Sequence, residues 1–455
     1  MIEEIIEKYY IIDNDKKRDL GEIFTPLELV KKMLDQLPSS VWKNPELKWL
    51  DPCAGFGVFS VEVYSRLMRS LKSSFEDESR RSKHIVENML FNVEIDKKNE
   101  DSLKQIFYEL DPSATPNVWR LDFFSWADPH LNNSFDVIMG NPPYNLNGLN
   151  KGGTYHIPYW AMFCLRCCDL LKKGGYLTFV HPPGWRKPSG ITKSAGDVLK
   201  KYIKEGGLRF LSVNDTRNAP FPPVDYYVYK KGRRERKTAT RCTFQGVSYK
   251  ESVHDFSSAS FIPNMITDSS ESILKKIINK PGHSPFNFIR DNRFRFPVSQ
   301  TKAKGIPHVY YYENNTYKLV NLSENQMKQM NGEKIPDYYT KPKIVISFDK
   351  PKKVGELYPV FYDGKHPIGT TTNVAYEIID PKKAELYVSF LSSKLITFLM
   401  RITQYSSPPN RKNDLKVLNN IKRPNYRKIK TDEDIYKHYS LTKPEIDLIN
   451  QIVDY

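Results

Sequence analysis

Residues 48–59 read Lys-Trp-Leu-Asp-Pro-Cys-Ala-Gly-Phe-Gly-Val-Phe, and the fold turns on them. A short apolar run ends in an acid, Asp51. Two glycines, Gly55 and Gly57, follow one residue apart, and helical periodicity begins at Val58. Glycines between a strand and a helix let the backbone turn tightly and approach a ligand closely. The third glycine of the dinucleotide fingerprint is missing. An acid at the strand end suits a ligand with a positive amine, whereas a pyrophosphate favours bare helix N–H groups.

Working outward, the first half of the chain alternates short apolar runs with helix-period segments, the signature of a sheet covered by crossover helices. Seven strands are predicted, at 48–54, 90–96, 118–124, 136–141, 176–181, 210–214 and 226–230. A helix over 162–173 is expected to stop at Gly174-Gly175. In a doubly wound sheet, ligands sit beyond the carboxyl ends of the strands. The second strand ends in Val93-Glu94-Ile95-Asp96, where a carboxylate can accept from ribose hydroxyls. The third ends in Leu121-Asp122-Phe123-Phe124, an acid for an exocyclic amine beside an aromatic for a purine face. The fourth ends in Gly140-Asn141-Pro142-Pro143-Tyr144. One strand-end acid is usually a cap or an ion pair. Three in successive strands, with Asn-Pro-Pro-Tyr after the fourth, point to a ligand site.

At 455 residues the chain is long enough for two domains. Residues 1–240 carry 36 Lys+Arg against 31 Asp+Glu, and residues 241–455 carry 33 against 22. Most of the net charge of +16 therefore lies in the second half, and it argues for a polyanionic partner. The 24 Phe, 28 Tyr and 6 Trp supply core material and exclude global disorder. Five Cys make no disulfide framework. Cys164 and Cys167, with Cys168, lack a companion pair at zinc spacing, so buried thiols and no metal are expected. There is no apolar run of membrane-spanning length, and Met1-Ile2-Glu3-Glu4 is too acidic to open a signal peptide, so a soluble cytoplasmic protein is expected. The basic run 230–237 reads as a solvated linker. The second half reads as mixed α+β, with strand-like segments at 343–348, 359–361 and 373–379, a helical stretch at 384–402 and a last helix from near Thr442. The expected division is an N-terminal helical segment at 1–20, a first domain at 21–235 and a second at 236–455.

Five pieces together carry a specific resemblance. They are Gly21-Glu22-Ile23-Phe24-Thr25-Pro26, the 51–57 run, Glu94, Asp122-Phe123 and the 141–144 tetrapeptide. In their order and spacing the chain resembles S-adenosylmethionine-dependent DNA N6-adenine methyltransferases in which the cofactor motifs precede the catalytic one. The resemblance implies a Rossmann-like, doubly wound seven-stranded catalytic domain followed by a target-recognition domain. It implies that Phe24, Thr25 and Pro26 close over the amino-acid end of S-adenosyl-L-methionine. Asp51 would face its ammonium, and Ala54, Gly55, Gly57 and Phe59 would give it room. Glu94 would hold the ribose, Ile95 would pack on the adenine, and Asp122 with Phe123 would meet the adenine's amine and edge.

Asn141, Pro142, Pro143 and Tyr144 would receive the target base. An adenine amine is a poor nucleophile because its lone pair is delocalised into the ring. The Asn141 side-chain oxygen and the Pro142 carbonyl can accept its two N–H bonds and favour a tetrahedral nitrogen. Catalysis then rests on positioning and preorganised acceptors. A base in a duplex must first be flipped out, and Phe221 is nominated to cover its other face; an ordinary loop hydrophobe is the alternative. Arg186, Lys187 and Lys193 form a basic loop near the site, a candidate for phosphate contact or simply a solvated loop. Arg401, Arg411 and Lys412 offer a second DNA-facing surface, able to grip phosphates but carrying no readable base code.

The expected partner is double-stranded DNA, in a nucleoid or viral DNA compartment. The residues before Gly21 are too few for a nuclease domain, so a solitary enzyme or one paired with a separate cognate restriction endonuclease is expected. RNA adenine and protein-glutamine N-methyltransferases carry related tetrapeptides and stand as alternatives. A non-catalytic nucleic-acid-binding protein on the same fold is the reading of a different class.

Overall fold

The computed structural model describes residues 2–9, 25–145, 158–188, 193–214, 224–232, 236–278, 284–291, 305–313, 316–323, 325, 335–348, 353–405, 413–424 and 429–454. The chain forms two compact units. One comprises Met1–Thr216, Val224–Thr243 and Lys250–Ser260; the other comprises Arg217–Pro223, Phe244–Tyr249 and Phe261–Tyr455. The expected boundary at 235/236 falls within the first.

The first unit holds α1 (Ile2–Tyr9), α2 (Leu27–Leu34), β1 (Trp49–Asp51), α3 (Val58–Ser70), β2 (Leu90–Glu94), α4 (Lys97–Leu110), β3 (Asn117–Arg120), α5 (Phe123–Trp126) and β4 (Phe135–Gly140). After these come α6 (Tyr159–Leu170), β5 (Leu171–His181), α7 (Lys193–Leu199), β6 (Leu208–Asn214) and β7 (Asp225–Lys230), then β8 (Lys237–Phe244) and β9 (Val247–Asp255), of which Phe244–Tyr249 is grouped with the second unit. The sheet order is β3-β2-β1-β4-β5-β7-β6-β8-β9. The seven expected strands are all present, and β8 and β9 extend the sheet to nine.

The order has a direct consequence for the site. β1 pairs in parallel with both β2 and β4. The chain runs outward from β1 to β3 and then returns to β4, so the crevice between the ends of β1 and β4 is the topological switch point. β7 runs antiparallel between β5 and β6. All three residues of β1 are buried, as a central strand covered on both faces requires. Trp49, Val61, Leu67, Leu90, Leu103 and Ile106 are among the apolar side chains packed around it.

The end of α6 differs from expectation. α6 ends at Leu170, and β5 already begins at Leu171, so Gly174-Gly175 lies inside a strand and does not cap a helix. A Cβ on Gly175 would stand 2.8 Å from the Asp136 carbonyl oxygen. The glycine there serves close approach of β5 to β4, an equally good use of a missing side chain.

In the second unit, β10 (Ile306–Glu313), β11 (Thr316–Leu322) and β14 (Gly369–Thr370) make one three-stranded sheet, in the order β11-β10-β14. β12 (Lys343–Ser347), β13 (Val360–Tyr362) and β15 (Val374–Ile378) make another, ordered β13-β12-β15. The stretch expected as one helix at 384–402 is two, Ala384–Leu391 and Lys394–Ile402, because Ser393 turns the chain and caps the second by accepting from the Ile396 N–H. The last helix spans Lys443–Asp454, and Glu445 accepts from the Thr442 N–H at 2.6 Å.

Candidate active site

A cavity of about 370 Å3 opens at the switch point of the first unit. Thr25, Ala54, Gly55, Phe59, Glu94, Ile95, Asp122, Phe123, Asn141, Pro142, Pro143 and Tyr144 all line it. Twelve residues nominated from sequence thus meet in one place. Phe24, Phe221, Arg411 and Lys412 lie outside the described residues. The cavity also takes in Cys53, Leu121, Tyr159 and Phe163, which the sequence reading passed over. Tyr159 and Phe163 are four apart on α6, one helical face, and that spacing was the available signal.

The floor of the cavity is built from backbone held by carboxylates. Glu94, nearly buried at the end of β2, accepts from the Gly55 N–H at 2.7 Å through one oxygen and from the Asp96 N–H at 2.8 Å through the other. It thereby ties the glycine turn after β1 to the turn after β2. Gly55 has φ +55, a left-handed conformation that glycine adopts without cost. Gly57, with φ +92, departs from expectation. A Cβ there would meet Leu103 Cδ1 at 2.2 Å, and Gly57 does not line the cavity. Its bareness gives room to α4.

Asp51 stands behind the wall that Pro52 and Cys53 form, 1% exposed. One oxygen accepts from the Cys53 N–H at 3.2 Å, and the other makes no hydrogen bond. Burial raises its carboxyl to about 8, with the neighbouring Glu94 charge adding to the rise. An acid in a fully buried strand is costly unless something positive arrives to pair with it. Burial also pushes the Cys53 thiol up, so it is no ready nucleophile.

At the third strand, Asp122 caps α5. One oxygen accepts from the N–H groups of Phe124 and Ser125, at 3.0 and 3.1 Å. The other accepts from the Tyr159 hydroxyl at 3.4 Å. Phe123 is buried and stacks on Phe163 with ring centroids 4.6 Å apart. Ile95, 63% exposed, and Leu121, 49% exposed, stand at the rim. Exposed apolar side chains at the rim of a largely apolar cavity leave a surface for an apolar ring.

After β4, the 141–144 loop is pinned at its end. The Tyr159 N–H donates to the Tyr144 carbonyl oxygen at 3.2 Å, and Asn145 pairs with Pro158. Behind the loop lies a buried polar wall. β4 and β5 pair Gly140 with Phe179, which sets His181 at the neighbouring strand end. His181 Nδ1–H donates to the Pro182 carbonyl at 3.0 Å, so Nε2 accepts from the Tyr227 hydroxyl at 2.9 Å. Tyr227 also meets Tyr202 at 3.0 Å and Cys164 at 3.3 Å. Trp160 stacks on His181 at 4.3 Å. Burial lowers His181 to about 3 and raises Cys164 to about 12, and both tyrosines rise well above their ordinary value.

One expected DNA contact is corrected. Arg186, 1% exposed, donates from Nε and Nη2 to the two oxygens of Asp225 at 2.6 and 3.1 Å, and Trp185 Nε1 donates to the same carboxylate at 3.1 Å. A buried bidentate arginine cannot reach a phosphate. Arg401 donates to the carbonyls of Val354 and Ile452, at 2.9 and 2.6 Å, and fastens backbone. Lys187 is half-buried and Lys193 is exposed at the start of α7. Pro26 precedes α2 and accepts from the N–H groups of Leu29 and Val30, away from the cavity wall. Cys164, Cys167 and Cys168 are buried thiols. No group of three or more metal-ligating side chains occurs among the described residues, and no helix there is long and apolar enough to cross a membrane.

Residues 47–208 match the sequence profile of the Eco57I restriction-modification methylase family. A protein of Mycoplasma pneumoniae named as an uncharacterized adenine-specific methylase is 28% identical over 263 residues, covering 42% of this chain and 62% of its own length. The type II methyltransferase M.HincII of Haemophilus influenzae is 26% identical over 242 residues, covering 49% of this chain and 39% of its own. The chain thus spans less than two thirds of either. In fold, it is similar to the type IIL restriction-modification enzyme MmeI, solved in complex with DNA, with a TM-score of 0.56 at 13% identity, covering 99% of this chain and 77% of that one.

Proposed function

We propose that this chain, whose residues 47–208 match a restriction-modification methylase family, is an adenine-specific DNA methyltransferase. Its substrate would be the N6 amine of an adenine flipped out of double-stranded DNA. The observation that carries the reading is the convergence of Glu94, Ile95, Asp122, Asn141, Pro142 and Tyr144 on one cavity at the switch point.

The residues present fit S-adenosyl-L-methionine. Asp51 is a buried acid with one unsatisfied oxygen, the kind of group an ammonium would relieve. Glu94 would take the ribose, its carboxylate held at the end of β2 by the N–H groups of Gly55 and Asp96. Ile95, Leu121 and Phe123 would enclose the adenine, with Asp122 at its amine. When bound, this cofactor supplies an electrophilic methyl group on a sulfonium.

The chain's own contribution is placement. Asn141 and the Pro142 carbonyl would accept the two N–H bonds of the target amine and free its lone pair. The two prolines fix φ and hold those acceptors without reorganisation. Tyr144, its hydroxyl raised by burial, would lend a ring face to the base. No strong base is required.

Expression of the chain, with modified adenines in host DNA mapped by long-read sequencing, tests this. A recurrent methylated motif that disappears with Asn141→Ala is expected. Methyl transfer to RNA or to protein glutamine, with none to DNA, would overturn it.

A further inference from the structure

Tyr159 stands at a junction that neither the sequence motifs nor the family resemblance assigns. Its hydroxyl donates to the free oxygen of Asp122 at 3.4 Å, the acceptor on which the reading above places the cofactor's adenine amine. Its backbone N–H donates to the carbonyl of Tyr144 at 3.2 Å, and the neighbouring Pro158 pairs with Asn145. One residue therefore touches the cofactor acid with its side chain and the catalytic loop with its backbone. Its ring sits 5.3 Å from Phe124 and 5.3 Å, edge-on, from Phe163, which lines the same pocket.

We propose that Tyr159 is a positioning residue that couples occupancy of Asp122 to the order of the 141–144 loop. Without a ligand, its hydroxyl serves as the partner of an acid that is otherwise only half satisfied by its own helix cap. When an exocyclic amine takes that oxygen, the Tyr159 ring is released from Asp122 and packs on the incoming purine. A ring immobilised there steadies the first turn of α6, and with it the N–H bond to Tyr144. The hydroxyl is protonated and so able to donate, because burial and the Asp122 charge both raise its pKa.

The inference rests on the cofactor reading and is tested separately from it. Amide hydrogen exchange would be followed by mass spectrometry on peptides spanning 141–145 and 158–163, with and without S-adenosylmethionine, alongside binding by calorimetry. In the wild type, the cofactor should slow exchange of the Tyr159 amide by about tenfold or more. Tyr159→Phe keeps the ring and should bind the cofactor as tightly as the wild type, or up to about tenfold more tightly because the competing donor is gone. It should retain the cofactor-induced protection, because its ring still packs on the purine, whereas Tyr159→Ala at saturating cofactor should show little of it. The same protection in Tyr159→Ala, or loss of cofactor binding in Tyr159→Phe, overturns the coupling. Failure of the wild type to bind the cofactor sinks the functional reading itself.

Discussion

A Cβ built on Gly140 would stand 2.9 Å from Oδ1 of Asp51. The last residue of β4 lays its bare Cα against the buried acid at the end of β1, one residue before Asn141. Gly140 has φ +150, where side chains are strained. Gly140→Ala should cost about 1–3 kcal/mol of stability and push Asp51 out of place. Thermal unfolding with and without S-adenosylmethionine checks this. Equal cofactor-induced stabilisation in variant and wild type would contradict it.

The raised Asp51 carboxyl has a definite pH signature. Its folded value of about 8 exceeds the ordinary 3.8, so the folded state keeps a proton that the unfolded chain has surrendered. Stability from this group is therefore full below about pH 4 and declines as pH rises toward 8. Denaturation midpoints across pH 5–8 should fall less steeply for Asp51→Asn than for the wild type. An approaching ammonium should expel the proton, so cofactor binding at pH 7 should release protons measurable by calorimetry in buffers of different ionisation enthalpy.

Glu94 accepts from two backbone N–H groups, and an amide cannot do both. Glu94→Gln must turn its NH2 toward either Gly55 or Asp96, a donor facing a donor. A cost of about 1–3 kcal/mol is expected, with the glycine turn loosened and cofactor affinity reduced by about tenfold or more. Unchanged affinity on titration would show that this carboxylate does not hold the turn.

Arg186 and Lys193, neighbours in the basic loop, should behave as opposites. Arg186→Met strands the buried Asp225 and should cost about 3–5 kcal/mol, much of it recovered when Asp225→Leu is added. Lys193→Ala should leave stability alone, and if α7 meets phosphate it should reduce the salt slope of DNA binding by about one. Denaturant titrations and binding isotherms at several salt concentrations separate the two.

The fate of Arg186 shows where sequence reading stops. Strand-end chemistry was legible because Asp51, Glu94, Asp122 and Asn141 follow apolar runs, and β-sheet topology sends every such end to one edge. Composition marks Arg186 as basic, but only the register pairing His181 with Asp225 shows that a buried carboxylate waits for it. Gly57 and Gly175 depart from expectation for a similar reason. A missing side chain announces a close approach without naming what approaches, and here it was Leu103 and the Asp136 carbonyl. Tyr159 and Phe163 were hidden because a helical face repeats every apolar helix's pattern.

The wall behind the 141–144 loop is electrically silent. With His181 lowered to about 3, Cys164 raised to about 12 and both tyrosines higher than usual, none of these groups changes charge across the range in which cells live. A histidine beside a cavity of this kind ordinarily invites suspicion of proton traffic. Here the imidazole is a fixed dipole in a buried scaffold, and it should contribute no neutral-range inflection to a rate–pH profile.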